Sequence, residues 1–419
     1  MRAFVNERKI VSLWKEAVIM LIAFSAASAL FAAPPKQKVI LDTDMVECFD
    51  DGIAMLVLEK SPNIDLLGVT VVAGNTSMPH GTASGAKQLE IVHSKTPIYQ
   101  GSRKGIRQYR CDEEFLKAEE AFAPVVSWAG YFRTYRDPKK YKGVLFDPMA
   151  DWKDAYTAKY GSKPTYKYVY GPDSPDKNGN KDAVDFIVEQ VNKYPGEIVI
   201  AAIGPLTNIA RAIMRDPALP SKVKEIVYMG GAFYIPGNSS AAAEFNWWAD
   251  PDAAKICIRA VWGDTKSESY KAYGNQMISG LEANEHTHGM PQAVFDKVIE
   301  TTYPGLRELF IKNYNKTAPN NIWDVLAIGY IIDPSIVLSW NDDPVSPDGK
   351  PQKIYGVYVD VDAEEGPNYG RSLAYRRDKG PIGTQKAAIQ NFIDEDTFWN
   401  KIVYPLLKDP AKNKSGISG

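Results

Sequence analysis

The chain has 419 residues and a formal net charge of −2, and its 49 Lys and Arg residues are spread along the sequence. It has no basic stripe of the kind that neutralises phosphates, which excludes nucleic acid as an expected partner. The three cysteines and four histidines lack the spacing of a disulfide framework or a zinc site, so any metal should be a hard, oxygen-bound ion.

The first 33 residues have the order of a secretory signal peptide. Basic residues Arg2, Arg8 and Lys9 precede an apolar run, Ala17–Phe31, and small residues lead into Pro34. An uncleaved anchor is the alternative, but the run is shorter than the ~20 residues that a spanning helix needs. We therefore expect a signal peptide at 1–33, an exported, periplasmic or secreted protein, and no stable membrane association after cleavage.

Strand-like and helix-like segments then alternate along the chain. Lys38–Leu41 predicts a strand, Gly52–Lys60 a helix and Ile64–Ala73 a second strand, which together form the βαβ unit of a parallel sheet. A helix, a strand, a helix and a strand are predicted later, at Ala183–Lys193, Ile198–Ile203, Asn208–Met214 and Ile226–Met229. This alternation predicts an α/β fold with a mostly parallel central sheet flanked by helices.

The pattern loosens between Gln108 and Asn180, where aromatic residues, Lys and Pro are frequent. We interpret 108–180 as an insertion of helices and loops over the sheet, within one domain that spans residues 34–419. Its aromatic side chains either anchor it to the underlying surface or form a lid over a substrate.

Four carboxylates follow one another within ten residues at the end of the first predicted strand: Asp42, Asp44, Asp50 and Asp51. The first two end the strand, and the second two begin the next helix, whose amino end favours carboxylates. Ligands of open α/β sheets bind at that edge. Such charges repel one another unless a cation or protons intervene, and calcium accepts many carboxylate oxygens.

Other interpretations of these acids are open. They could be a helix cap with solvated loop acids. An EF-hand and a phosphatase with Asp42 as nucleophile fit less well, because Val46 stands where each needs a residue of another type.

The acids and five further segments resemble the inosine-uridine nucleoside hydrolase family. The first strand of that family ends in Asp-x-Asp, followed by a short loop and Asp-Asp, and the spacing here is similar to that of secreted bacterial members with a longer loop. The other segments follow in the family's order: Val72–Thr76, Ala202–Asn208, Met229–Gly231 with Gly237–Asn238, Ala243–Pro251 and Trp323–Ala327. The resemblance spans Val39 to about Ala327.

The resemblance implies calcium-dependent hydrolysis of the N-glycosidic bond of ribonucleosides or related N-ribosides. Asp44 would contact Ca²⁺ and act as catalytic general base on its water. Asp51, Asp324 and the main-chain carbonyl of Ile203 would complete the metal ligands, with Asp42 in support. The remaining matches would bind the ribose or, for the tryptophan, the base: Asp50, Asn75, Asn238, Glu244, Asn246 and Trp323.

Without the resemblance these polar residues have simpler interpretations. Asn75 after Gly74 is typical of a turn, Glu244 and Asn246 of one face of an extended segment, and Asp324 of a helix cap. The order of the motifs, rather than any one residue, favours the hydrolase.

The sequence departs from the family at two places. Val46–Cys48 occupies a loop where the family has a glycine, so the loop must take another path, with Glu47 facing either the metal or water. Trp323 replaces a histidine that protonates the leaving base in purine-cleaving relatives, and an indole stacks on a base but cannot supply that proton. Leaving-group activation would then fall to Tyr168 or His93, or to a substrate that needs little help.

Two functions are open from the sequence. One is a ribonucleoside hydrolase of purine or pyrimidine salvage, and the other is a non-catalytic protein of the same fold that binds calcium and a ribosyl ligand. Asp44 favours the enzyme, because binding alone needs no general base. The expected partner is a small-molecule nucleoside or riboside. Homo-oligomerisation and a disulfide between Cys111 and Cys257 are left open.

Overall fold

The computed structural model describes residues 35–320, 322–375 and 379–413, so the predicted signal peptide lies outside the described residues. The strands of this part of the chain join in one sheet: β1 (Gln37–Thr43), β2 (Ile64–Val71), β3 (Ile98–Gln100), β4 (Val169–Tyr170), β5 (Ile198–Ala202), β6 (Glu225–Met229), β7 (Gln276–Ser279), β8 (Val357–Val361), β9 (Ser372–Tyr375) and β10 (Gln385–Ile389).

The sheet is mostly parallel. Its order is β4-β3-β2-β1-β5-β6-β7-β10-β8-β9, and only the pairs β10–β8 and β8–β9 are antiparallel among the described strands. From β1 the chain builds outward through β2, β3 and β4, and it then returns to the other side of β1 with β5. The predicted fold class is confirmed, and the change of direction between β1 and β5 creates the crevice where such sheets bind ligands.

Helices cover both faces of the sheet. In chain order they are α1 (Asp50–Lys60), α2 (Met78–Ile91), α3 (Glu113–Glu119), α4 (Phe132–Arg136), α5 (Trp152–Tyr160), α6 (Ala183–Lys193), α7 (Thr207–Arg215), α8 (Leu219–Lys222), α9 (Phe245–Ala249), α10 (Pro251–Arg259), α11 (Glu268–Tyr273), α12 (Leu281–His286), α13 (Gln292–Thr301), α14 (Pro304–Tyr314), α15 (Trp323–Ile332) and α16 (Tyr404–Leu407). Shorter 3₁₀ segments lie at Gln108–Cys111, Pro124–Ser127, Pro334–Ile336 and Pro410–Asn413, and a π-helix at Thr397–Val403. None of the helices described is long and apolar enough to cross a bilayer.

The two faces of the sheet carry separate apolar cores. Side chains alternate across a strand, so Val39 and Leu41 of β1 pack in one core and Ile40 between them packs in the other. β1 is paired on both sides, with Asp42 opposite Thr70 of β2 and Ala202 of β5. The carboxyl end of β1 is therefore held in register at the crevice.

The range predicted as an insertion, 108–180, contains α3, α4 and α5 and also the edge strand β4. The strand pairs in parallel with β3 and so extends the sheet, which the division into sheet and insertion did not anticipate. Below, "the insert" means residues 108–168, which precede this strand.

All three cysteines, Cys48, Cys111 and Cys257, are buried free thiols. The disulfide between Cys111 and Cys257 that the sequence left open is not formed.

Candidate active site

The carboxylates of four aspartates meet at the carboxyl end of β1. Asp44 follows the strand, Asp50 and Asp51 lie in the first turn of α1, and Asp324 lies in the first turn of α15. All four are at least 97% buried. Oxygens of Asp50, Asp51 and Asp324 lie within 4.8 Å of one another, and the backbone N–H of Asp324 hydrogen-bonds to Asp50.

Burial and mutual repulsion raise the pKa values of these carboxyl groups. Burial raises the pKa of Asp44 most, followed by the charge of Asp51, and the same order of causes holds for Asp50. Burial raises the pKa of Asp51 to about 6, although Thr43 Oγ1 and Asn75 Nδ2 donate to its carboxylate. A divalent cation among these oxygens would reverse the effect, because it stabilises the charged forms.

Two carboxylate oxygens of the cluster fit such a cation. Within the residues that the structure describes, Asp44 Oδ1 and Asp50 Oδ1 are buried and have no hydrogen-bond partner. Buried carboxylate oxygens are costly unless they are paired or bound to a metal. An all-oxygen donor set of this kind suits a hard cation such as calcium or magnesium.

Two glycines enclose Asp44, one after β2 and one after β5, the strands on either side of β1. A Cβ on Gly74 would overlap Asp44 Oδ2, and a Cβ on Gly204 would lie 2.7 Å from the backbone nitrogen of Asp44. Asp44 Oδ2 accepts a hydrogen bond of 2.6 Å from the backbone N–H of Asn75. These contacts fix the orientation of the carboxylate.

Asp42 lies on β1, two residues before Asp44, and makes different contacts. Its Oδ1 accepts from Thr70 Oγ1 at 2.5 Å and from Asn208 Nδ2 at 2.8 Å. Burial raises its pKa to about 7. Asp42 thus joins β1 to β2 and α7.

A pocket of about 260 Å³ opens beside the cluster. It is lined by Phe49, Asp50, Asn75, Val125, Trp128, Ala129, Ile203, Met229, Asn238, Ser239, Glu244, Phe245, Asn246, Trp323 and Asp324. The structure therefore brings together all the residues predicted to bind the substrate, with Asp44 and Asp51 behind the lining. Asp50, assigned to the ribose from the sequence, lies in both the pocket wall and the acidic cluster.

Glu244 and Asn246 organise the wall opposite the acids. They begin a helix, α9, rather than forming an extended segment. Glu244 caps it by accepting from the backbone N–H groups of Asn246 and Trp247, and it also accepts from that of Gly231. Asn246 Nδ2 donates to the main-chain oxygen of Ile203 at 3.1 Å. This hydrogen bond directly links Asn246, which the sequence assigned to the ribose, to Ile203, which the sequence assigned to the metal.

Aromatic and apolar side chains form the rest of the wall. Trp323 begins α15 next to Asp324, and Trp128, which is 62% exposed, comes from the insert. Sequence reasoning missed Trp128, because no motif or periodicity marks it. The insert is fixed there by the backbone N–H of Tyr131, which donates to Gly74 O at 2.9 Å. Gly130 also packs closely against Gly74: it has a φ of +61°, and a Cβ at this position would lie 2.4 Å from Gly74 O.

The two residues suggested as leaving-group acids lie elsewhere. His93 is exposed beyond the end of α2, and Tyr168 packs edge-on against Tyr166 with 5.5 Å between ring centroids. Neither lines the pocket, so both suggestions were wrong. Glu47, expected at the metal or in water, is 4% exposed and contacts Lys159 and Tyr160.

The sequence model of the inosine-uridine preferring nucleoside hydrolases matches residues 39–400. The chain belongs to this family. Two relatives, the pyrimidine-specific ribonucleoside hydrolases RihB of Escherichia coli O1:K1 and Escherichia fergusonii, are each 27% identical to this chain over 371 residues. The matched residues cover 88% of this chain and 96% of each relative. The predicted class of N-glycosidic hydrolase is confirmed.

Solved nucleoside hydrolases share the fold. A plant nucleoside hydrolase, PpNRh1, superposes with a TM-score of 0.59 at 21% identity, covering 90% of this chain and all of that one. A purine-preferring ribonucleoside hydrolase from Gardnerella vaginalis gives 0.58 at 22% identity, covering 88% and 98%. The nucleoside hydrolase family is metal-dependent, and the buried acids of this member form the matching donor set.

Proposed function

We propose that this chain is a calcium-dependent hydrolase that cleaves the N-glycosidic bond of ribonucleosides or closely related N-ribosides. The observation that carries the proposal is the group of buried carboxylates directly behind a pocket lined by asparagines, a glutamate and aromatic rings. The acids would hold Ca²⁺, the polar wall the ribose, and the aromatic wall the base.

The residues that would hold calcium are Asp44, Asp51, Asp324 and the carbonyl of Ile203, with Asp50 beside Asp51 and Asp324 in the same group. When bound, calcium supplies positive charge that lowers the pKa of a neighbouring water and keeps these carboxylates ionised. Asp44 would take a proton from the attacking water, since its Oδ1 is the oxygen that has no other described partner.

The reaction would proceed at the anomeric carbon of the ribose. Water oxygen bonds to C1′ as the bond from C1′ to the base nitrogen breaks, and the bonding electrons leave with the base. The transition state resembles an oxocarbenium ion, so the carboxylate of Glu244 and the amide oxygens of Asn75 and Asn246 would stabilise its positive charge. Trp323 would stack on the leaving base.

Hydrolysis of a nucleoside panel tests the proposal. Uridine and cytidine come first, because the relatives matched over most of the chain are named pyrimidine-specific, followed by inosine, guanosine and adenosine. Ribose release by the chain from Pro34 onward is expected with calcium present and should stop after chelation. Tight calcium binding without ribose release from any nucleoside would instead support the non-catalytic binding protein.

We further propose that the protein is exported after removal of residues 1–33. The basic and apolar order of that segment supports the proposal. Expression of the full chain in a Gram-negative host, fractionation and mass measurement should give a periplasmic species beginning near Pro34. A cytoplasmic protein of full mass would contradict it.

A further inference from the structure

The loop between the paired aspartates is attached to the rest of the protein at successive positions. Thr76 Oγ1 donates to Met45 O at 3.3 Å, and the backbone N–H of Cys48 donates to Gln88 Oε1 at 2.8 Å. Asn313 Nδ2 of α14 donates to Glu47 O at 2.8 Å. Cys48 adopts a φ of +50°, which a non-glycine residue takes only when its surroundings enforce it.

The side chain of Glu47 makes the one charged contact among these attachments. It is 4% exposed, and Lys159 Nζ lies 3.1 Å from its Oε2, while the hydroxyl of Tyr160 donates to the same oxygen. Lys159 and Tyr160 are the last two residues of α5 in the insert. The insert therefore contacts the loop that leads into Asp50 and Asp51 at the start of α1.

Lys159 is fully engaged at this point. Its ammonium group donates to Glu47 Oε2, to His80 Nε2 at 2.7 Å and to Ser84 Oγ at 3.1 Å, which uses all three N–H groups. His80 can accept because burial, followed by the charge of Lys159, lowers the pKa of its ring to about 3 and keeps it neutral. The ammonium thus ties the loop to α2 as well as to α5.

We propose that Glu47, Lys159 and Tyr160 are positioning residues. Through them the insert fixes the loop between the paired aspartates and thereby the positions of the carboxylates on either side of it. The inference rests on the proposed function, since it concerns the calcium site assigned above. Val46–Cys48 follows a path in which Cys48 holds a φ of +50°, so the loop needs contacts that keep it there. The ion pair supplies that constraint, because a shift of the loop would leave the buried Glu47 carboxylate without its charged partner.

Residue replacements in the chain from Pro34 onward test the proposal. The variants are Lys159→Met, Glu47→Gln, the two combined, and Lys153→Met, which changes an exposed lysine on the same helix and serves as the control. Each protein is stripped of metal, titrated with calcium by calorimetry, and assayed for kcat and KM with the ribonucleoside that the unmodified protein cleaves. Thermal unfolding of the metal-free form monitors the fold.

Lys159→Met should weaken calcium binding by about 10- to 100-fold, the range for loss of groups that orient metal ligands, and should lower kcat more than it raises KM. The combined variant should lose about as much as Lys159→Met alone, because both replacements remove the same ion pair. Lys153→Met should match the unmodified protein. Calcium affinity and kcat within twofold of the unmodified protein in Lys159→Met, or recovery of both in the combined variant, would overturn the proposal.

If Lys159→Met does not fold, Tyr160→Phe carries the test, because it removes only the hydroxyl that donates to Glu47. Unchanged calcium affinity and kcat in that variant would overturn the proposal. Calcium binding by the unmodified protein distinguishes failure of the proposed function from failure of the positioning role. If it binds no calcium, the proposed function fails; if it binds calcium and the variants bind equally well, only the positioning role fails.

Discussion

The backbone N–H of Asn75 lies 2.6 Å from Asp44 Oδ2 and donates to it. One oxygen of this aspartate is thereby held by the loop that follows β2, and the other, Oδ1, is buried without a hydrogen-bond partner. A group that is fixed at one oxygen and available at the other is well arranged to take a proton from water.

Replacement of this carboxylate tests its role. Asp44→Asn should lower kcat by about 10²- to 10⁴-fold, the usual contribution of a general base, while nucleoside binding persists. Steady-state kinetics and equilibrium binding of the same nucleoside check both parts. Asp65→Asn, on the exposed part of β2, is the matched control and should leave both unchanged. A loss of binding in proportion to kcat would contradict a role specific to proton transfer.

Calcium should stabilise the folded protein. In its absence burial and repulsion raise the pKa values of the clustered aspartates, so the site opposes folding at neutral pH. Calcium at 100 times its dissociation constant should add about 2.7 kcal/mol to the free energy of unfolding. Thermal melts with calcium and with chelator should differ in Tm, less so in Asp324→Asn, whereas the exposed Asp154→Asn should behave as the unmodified protein. Equal Tm values in both conditions would argue against the site.

The two glycines Gly74 and Gly85 should respond oppositely to a methyl group. In Gly74→Ala the new Cβ overlaps Asp44 Oδ2, so we expect about 1–3 kcal/mol of destabilisation and a large loss of kcat. In Gly85→Ala, within α2, the nearest atom is Ile98 Cδ1 at 3.4 Å, and the helix should gain up to about 1 kcal/mol. Urea unfolding and the nucleoside assay measure both effects. Full activity in Gly74→Ala would show that Asp44 need not keep its observed orientation.

Trp323 should contribute to binding rather than to proton transfer. If its indole stacks on the base, Trp323→Ala should raise KM by roughly 5- to 150-fold, equivalent to about 1–3 kcal/mol of stacking. Trp323→Phe should retain much of the affinity, since a ring remains. The pH profile of kcat should keep its shape in both variants. A changed profile would instead connect this position with protonation of the leaving group.

The buried Glu244 should make the free energy of unfolding depend on pH. Burial raises its pKa from 4.5 to about 7. Because the folded pKa lies above the unfolded one, its stabilising contribution is fully present below pH 4.5 and is lost as the pH rises through 7. The metal-free protein should therefore lose roughly 3 kcal/mol relative to Glu244→Gln between these limits, as measured by urea unfolding at several pH values. Parallel stability curves would contradict the raised pKa.

The fold could be predicted where apolar periodicity and helix signals coincide. The helix Ala183–Lys193 has the predicted bounds. β1 extends the predicted Lys38–Leu41 at both ends, because its pairing with β2 runs from Gln37 to Thr43. The two-residue strand β4 could not be predicted from its aromatic surroundings, since it is defined only by pairing with β3.

The site was predictable to the extent that its residues sit in ordered motifs. Asp50, Asn75 and Asn246 follow strands or begin helices, and parallel topology brings such positions to one edge. Trp128 depends instead on the contact between Gly130 and Gly74, and the partners of Glu47 lie more than a hundred positions away in sequence. Neither relationship leaves a local trace.

The buried thiols have a consequence for how this protein is made. Burial raises the pKa of Cys48 and Cys257 well above its usual range and that of Cys111 to about 11. Only thiolates exchange with disulfides, so these three thiols should exchange slowly in the folded protein at neutral pH. The three cysteines are therefore open to disulfide exchange mainly in the unfolded chain, before the central strands have paired.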